Sequence, residues 1–175
     1  MSLLMMRELP LLAGYPESIH LQVQRLIDNG RLGDWLEQRY GQHAPHGISS
    51  DKALYDYAMA LKNRYLGNTA PLMRVRYDSK LNVIRQTLGL NSHIARVQGS
   101  KLKTRAEIQI ASLFRDAPAP FLRMIMVHEL AHLRERQHDK AFYQLCCHME
   151  PDYHQLELDL RLYLTWQALE SKGKG

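Results

Sequence analysis

The stretch Phe121–Leu133 reads FLRMIMVHELAHL, and it carries the strongest indication of both the structure and the chemistry expected of this chain. Apolar side chains surround it on nearly every side, which is typical of a helix buried in a protein core. Within it, His128 and His132 are four residues apart and therefore project from the same side of the helix. Two imidazoles placed in this way reach one metal ion, whereas Glu129, about 100° round the helix, reaches a water molecule. The HExxH pattern therefore predicts a catalytic metal site with Glu129 as general base.

A hydrolytic zinc site needs a third protein ligand and an open position for water. We expect His138 to supply that ligand, after a break in the helix, because six helical residues would carry it about 9 Å away from His132. Asp139 is a suitable cap for a following helix, which would leave His138 in the loop. Three imidazoles favour zinc, nickel, cobalt or manganese over magnesium, and zinc is the expected metal. The alternative third ligands are Glu150, His148 and His154.

The segments before the motif predict helices followed by a small sheet. Apolar residues recur at helical spacing in residues 18–28 and again in residues 51–67, where Asp51 is the expected cap. Two later segments alternate apolar and polar side chains, as half-buried strands do. They are Leu72–Tyr77 and Ala106–Ala111, with residues 83–84 and 94–97 as weaker strand candidates. We therefore expect a small, largely antiparallel sheet.

The C-terminal third predicts further helices. Asp139 would start one helix that ends near Pro151. The tail from Gln155 to Leu164 has the alternating period of a strand, but its Leu, Glu, Gln and Arg residues favour a helix. No repeat, low-complexity tract or linker divides the sequence. The expected fold class is α+β, a single domain over residues 1–175 with N-terminal helices, a small sheet, the buried HExxH helix and C-terminal helices.

Charge is unevenly spread along the sequence. The net charge is +5, yet residues 62–105 hold ten Lys or Arg and a single acid, Asp78. Such a run is most often a solvated face, but it also suits a phosphate-bearing substrate or weak nucleic-acid association. The two cysteines, Cys146 and Cys147, are adjacent and cannot form a disulfide bond that joins distant segments, which fits a reducing compartment. No apolar run approaches a membrane span, so we expect a soluble, cytoplasmic protein.

Several segments resemble one known protein family. The sequence resembles the YgjP-like metallopeptidase domain family, which is related to the WLM and SprT-like proteases. The resemblance lies in Met126–Leu133, the spacing to His138, Lys140–Tyr143 and Met149–Tyr153. The resemblance implies a compact zincin-like α+β fold, a metal held by the three histidines named above, and Glu129 as general base. It also implies two activities, a peptidase inferred from the motif and a nucleotide pyrophosphatase acting on UTP in particular.

Three functions are open from the sequence. The first is a zinc metallopeptidase acting on peptides or proteins, with Tyr143 and Tyr153 as candidate donors to a substrate oxygen. The second is a UTP pyrophosphatase that releases UMP and diphosphate, with the triphosphate held by Arg96, Lys101, Lys103 and Arg105. The third, a nucleic-acid-associated module with a structural metal, is disfavoured because structural zinc is normally closed by four protein ligands. Imidazole ligation favours the peptidase, because most nucleotide pyrophosphatases use magnesium held by carboxylates.

Overall fold

The structure is a computed structural model that describes residues 8–42, 44–82 and 106–175. The weaker strand candidates at residues 83–84 and 94–97 lie outside this range. The described residues form two compact units, one of residues 8–42 with 157–175 and the other of residues 44–82 with 106–156.

In chain order, the helices of the described residues are α1 (Glu17–Asp28), α2 (Leu32–Leu36), α3 (Asp51–Tyr65), α4 (Ala119–Ala131), α5 (Lys140–Met149) and α6 (Tyr153–Gly173). The strands are β1 (Leu72–Asp78) and β2 (Ala106–Ala111), and short helical turns cover Pro10–Leu12, Glu37–Gly41 and Ser112–Arg115. These elements confirm the α+β class. They also confirm that the C-terminal tail is helical. Its residue composition predicted this helix, although its alternating apolar period is typical of a strand. None of the helices in the described part of the chain has the length and apolar content that crossing a bilayer requires.

In the first unit, a buried carboxylate connects the N-terminal segments to α6. Asp159 is fully buried, and it accepts hydrogen bonds from the Tyr40 hydroxyl and from Arg39 Nε, the latter at 3.2 Å. Burial, together with the neighbouring Asp159 carboxylate, raises the pKa of Tyr40 far above its usual value. Two residues further along α6, Arg161 donates to the Leu11 carbonyl oxygen at 3.0 Å. These contacts satisfy polar groups that would otherwise be costly to bury.

The sheet of the second unit pairs β1 with β2 in parallel, with Val75 opposite Ile108 and Tyr77 opposite Ile110. The expectation of a largely antiparallel sheet was wrong for this pair. Antiparallel neighbours are commonly joined by a tight hairpin, whereas a parallel pair needs a crossover of about a dozen residues or more. Residues 79–105 separate the two strands, which is enough chain for that crossover.

Helix α4 forms the core of the second unit, as its apolar composition predicted. Ten of its 13 residues are buried, and it packs against β2, α3 and α5. The helix begins after Pro118 and ends at Ala131, so that His132 already lies outside it. The break that a shared metal requires between His132 and His138 is therefore present.

The two caps in this unit differ in how well the sequence predicted them. Asp139 Oδ1 accepts a hydrogen bond from the Phe142 amide at 3.0 Å, which confirms it as the cap of α5. Helix α3 is instead capped by Ser50, whose hydroxyl accepts from the Ala53 amide at 3.1 Å. Asp51 is already helical, and its carboxylate accepts from the Tyr77 amide at 3.0 Å. The expected cap was wrong by one residue, because capping needs the extended backbone that Ser50 has.

Candidate metal centre

The structure brings together the three histidines that the sequence predicted as metal ligands. His128 lies in the last turn of α4, His132 directly follows that helix, and His138 lies in the loop before α5. One ligand nitrogen from each lies within 4.8 Å of the other two, and the Nε2 atoms of His132 and His138 are 3.0 Å apart. Zn–N bonds of about 2.05 Å in tetrahedral geometry separate ligand nitrogens by roughly 3.4 Å. The spacing of the imidazoles therefore fits a single metal ion.

The second ring nitrogen of two of these histidines is engaged away from the centre. Nδ1 of His132 lies 3.0 Å from the backbone carbonyl oxygen of Glu135. A carbonyl only accepts, so Nδ1 carries the proton and Nε2 keeps its lone pair. Nδ1 of His128 lies 2.8 Å from the Tyr153 hydroxyl. Metal-ligating histidines almost always donate their other ring N–H in this way, so the arrangement suits a metal ion.

Phe142 forms an apolar support for the imidazoles. Its ring centroid lies 5.0, 4.6 and 4.8 Å from those of His128, His132 and His138, and its side chain is fully buried. Burial, with the neighbouring His132 and His138 as smaller causes, lowers the pKa of His128 well below its usual value. The neutral imidazole that results is the form that binds metals. Phe142 was not predicted from the sequence as part of the site, although its position three residues after the cap Asp139 is a usable signal.

Glu129 follows His128 on the buried helix α4, and 6% of its surface is exposed. Within the described residues, the group of mutually close ligand atoms consists of the three histidines and does not include Glu129. Glu129 is therefore not one of the grouped candidate ligands, as the HExxH pattern predicts.

The alternative third ligands lie elsewhere. Glu150 pairs with Arg123, and the rings of His148 and His154 pack against those of Tyr65 and Tyr143, with centroid distances of 5.5 and 5.4 Å. None of the three belongs to the group of close ligand atoms found among the described residues.

The candidate substrate-binding residues differ in where they lie relative to the three histidines. Tyr153 is fully buried against His128, which places it behind one of the three candidate ligands. Tyr143 is half-buried, with its ring centroid 6.4 Å from that of His138. The four basic candidates, Arg96, Lys101, Lys103 and Arg105, lie outside the described residues.

Comparison with known proteins links this centre to one family. Residues 73–163 match the protein family described as "YgjP-like, metallopeptidase domain". A protein of Escherichia coli strain K12 named UTP pyrophosphatase is 55% identical over 164 residues, which cover 94% of this chain and 97% of the relative. No solved structure matches the chain. The range matched by the family contains the three histidines, Glu129 and both tyrosines.

Proposed function

Because the chain belongs to the YgjP-like metallopeptidase domain family, we propose that it is a hydrolase that works with a zinc ion held by His128, His132 and His138. The observation that carries this proposal is the convergence of the three imidazoles. Three protein ligands leave a fourth position open, which is typical of catalytic zinc sites and differs from structural ones. Imidazole also binds nickel, cobalt and manganese, whereas magnesium prefers oxygen ligands.

Glu129 is the proposed general base. When bound, the metal ion supplies Lewis acidity, which polarises a substrate oxygen and makes a water molecule more acidic. The Glu129 carboxylate would accept the proton that this water loses as its oxygen attacks the substrate. Its position next to His128 on the rigid, buried α4 helix keeps the base at a fixed place relative to the ligands. General-base catalysis typically contributes about 10²–10⁴-fold to the rate.

The proposed substrate is UTP, cleaved between the α- and β-phosphates to UMP and diphosphate. This choice rests on the Escherichia coli relative, which is named UTP pyrophosphatase and aligns over nearly the whole chain. Two exposed cations near His138 add physical support: Arg136 lies two residues before it in the loop, and Lys140 lies two residues after it as the first residue of α5. Cations of this kind attract and bind phosphate oxygens. The candidate triphosphate ligands named from the sequence are Arg96, Lys101, Lys103 and Arg105.

Peptide hydrolysis is the second candidate function. It is favoured by the family's description as a metallopeptidase domain and by the HExxH arrangement on α4. The same base and the same three ligands would serve attack on an amide carbonyl. The two candidates therefore share one centre and differ in what binds beside it.

A substrate panel distinguishes the two. Zinc-loaded protein would be incubated with UTP, CTP, ATP and GTP, and in parallel with an unfolded protein and a DNA-bound protein. We expect UMP and diphosphate from UTP, and loss of this product with a chelator or in Glu129→Gln. Cleavage of the protein substrates without nucleotide turnover would favour the peptidase. UTP turnover that persists in Glu129→Gln would refute the proposed base or reveal a contaminating enzyme.

A further inference from the structure

The Tyr153 hydroxyl contacts His128 at a place that solvent does not reach. Its side chain is fully buried, and its hydroxyl oxygen lies 2.8 Å from Nδ1 of His128. The two rings are nearly parallel, with an interplanar angle of 19° and centroids 6.4 Å apart. A hydroxyl enclosed in this way is not in a position to bind a substrate that arrives from solvent. The polar group that it contacts is the imidazole ring of His128, a proposed metal ligand.

The turn that carries Tyr153 is itself held by the metal helix. Arg123 of α4 donates from Nε to the Glu150 carboxylate at 2.5 Å and from Nη2 to the Met149 carbonyl oxygen at 2.8 Å. The Tyr153 amide in turn donates to the Glu150 carbonyl oxygen at 3.0 Å. The segment Met149–Tyr153 is thus attached to α4 at two points, through Arg123 and through His128. Two attachments on one helix fix the direction of the hydroxyl more firmly than one would.

We propose that Tyr153 is a positioning residue for the metal ligand His128. The hydroxyl oxygen accepts a hydrogen bond from Nδ1–H, which leaves the Nε2 lone pair of His128 to face His132 and His138. A hydroxyl both donates and accepts, so it satisfies this tautomer without a carboxylate or carbonyl partner. The inference rests on the proposed role of His128 as a ligand. Loss of such an outer partner typically weakens metal binding by about 10–100-fold.

Tyr153→Phe tests this role because it removes the hydroxyl and keeps the buried ring. We expect zinc affinity, measured by competition with a chromophoric chelator, to fall by about 10–100-fold. We also expect the visible absorption bands of the cobalt-loaded variant to shift, because the ligand field of His128 changes. Zinc affinity within twofold of wild type, with an unchanged cobalt spectrum, would overturn the proposal.

Tyr77→Phe is the matched control. Tyr77 is also buried, and its hydroxyl donates to the Ile48 carbonyl oxygen at 2.5 Å, on a strand that carries no proposed ligand. Its removal should lower the melting temperature of the metal-free protein as Tyr153→Phe does, and leave zinc affinity within twofold. Equal losses of zinc affinity in both variants would assign the effect to general destabilisation and overturn the proposal.

Zinc binding by wild type and by Tyr153→Phe separates the positioning role of Tyr153 from the proposed function. A wild-type protein that fails to bind zinc overturns both, whereas normal zinc binding by both wild type and Tyr153→Phe overturns the positioning role alone. If Tyr153→Phe does not fold, nuclear magnetic resonance of the zinc-loaded wild type with ¹⁵N-labelled histidine decides. We expect the ring proton of His128 on Nδ1, protected from solvent exchange. A proton on Nε2 would overturn the proposal.

Discussion

The cap of α5 directly follows the third candidate ligand, and we expect it to help hold that histidine in place. Asp139 accepts a hydrogen bond from the Phe142 amide at 3.0 Å, and His138 is the residue directly before it. We expect Asp139→Ala to lower the free energy of unfolding by about 1 kcal/mol, the typical contribution of a helix N-cap. For a protein of this size, that corresponds to a fall of about 2–4 °C in melting temperature.

The same substitution should weaken metal binding, because fraying of the first turn of α5 releases His138 from its position. A change of about 1 kcal/mol is about fivefold in an equilibrium constant, which sets the upper limit of the expected loss in zinc affinity. Thermal unfolding of the metal-free protein measures the first effect, and chelator competition measures the second.

Ser50→Ala is the matched control for this substitution. The Ser50 hydroxyl caps α3 through the Ala53 amide at 3.1 Å, and α3 carries no proposed metal ligand. It should lower the melting temperature similarly and leave zinc affinity unchanged. Unaltered zinc affinity in Asp139→Ala would refute the idea that the cap positions His138. Equal losses in the two variants would refute it as well, since general destabilisation would then be the cause.

Two further substitutions test the packing and the titration of the second unit. Phe142→Ala should lower the free energy of unfolding of the metal-free protein by about 3–5 kcal/mol, because the ring is fully buried; a loss below about 1 kcal/mol in urea denaturation would contradict the packing under the imidazoles. Burial raises the pKa of Tyr77 to about 12 from 10.0, so the folded state keeps a proton that the unfolded chain releases. This stability is complete below pH 10 and is lost as pH rises to 12, by about 3 kcal/mol. Tyr77→Phe should therefore lose stability less steeply over this range, and equal slopes in alkaline denaturation would contradict the assignment.

Local patterns predicted the elements that carry the candidate site. The apolar surroundings of His128 predicted a buried helix, and the geometry of a shared metal required that helix to end before His138. Both features depend on a few consecutive residues, which is why the sequence could reveal them. The tail from Gln155 to Leu164 is a further example, because the helix propensity of its residues predicted its structure correctly although its alternating apolar period indicated a strand.

Features that depend on distant parts of the chain were not predictable in this way. The parallel direction of β2 relative to β1 is a pairing between strands that lie far apart in the sequence, and no local pattern determines it. The contact between Tyr153 and His128 joins side chains 25 residues apart. The contact between His132 and Glu135 is local, but it uses a backbone carbonyl that any residue provides, so no side-chain pattern indicates it. Weak nucleic-acid association through residues 62–105 stays a prediction, because residues 83–105 lie outside the described range.

Hydrolysis is proposed to need two parts together, a metal ion held by the three histidines and a proton acceptor at Glu129. The most direct test is turnover of UTP by zinc-loaded Glu129→Gln protein whose metal content has been verified. We expect the variant and the wild type each to bind one zinc ion per chain, because Glu129 is not among the proposed ligands. Its turnover should fall by at least about 10²-fold, the lower range for loss of a general base. Turnover within tenfold of wild type at full zinc loading would rule out Glu129 as the general base.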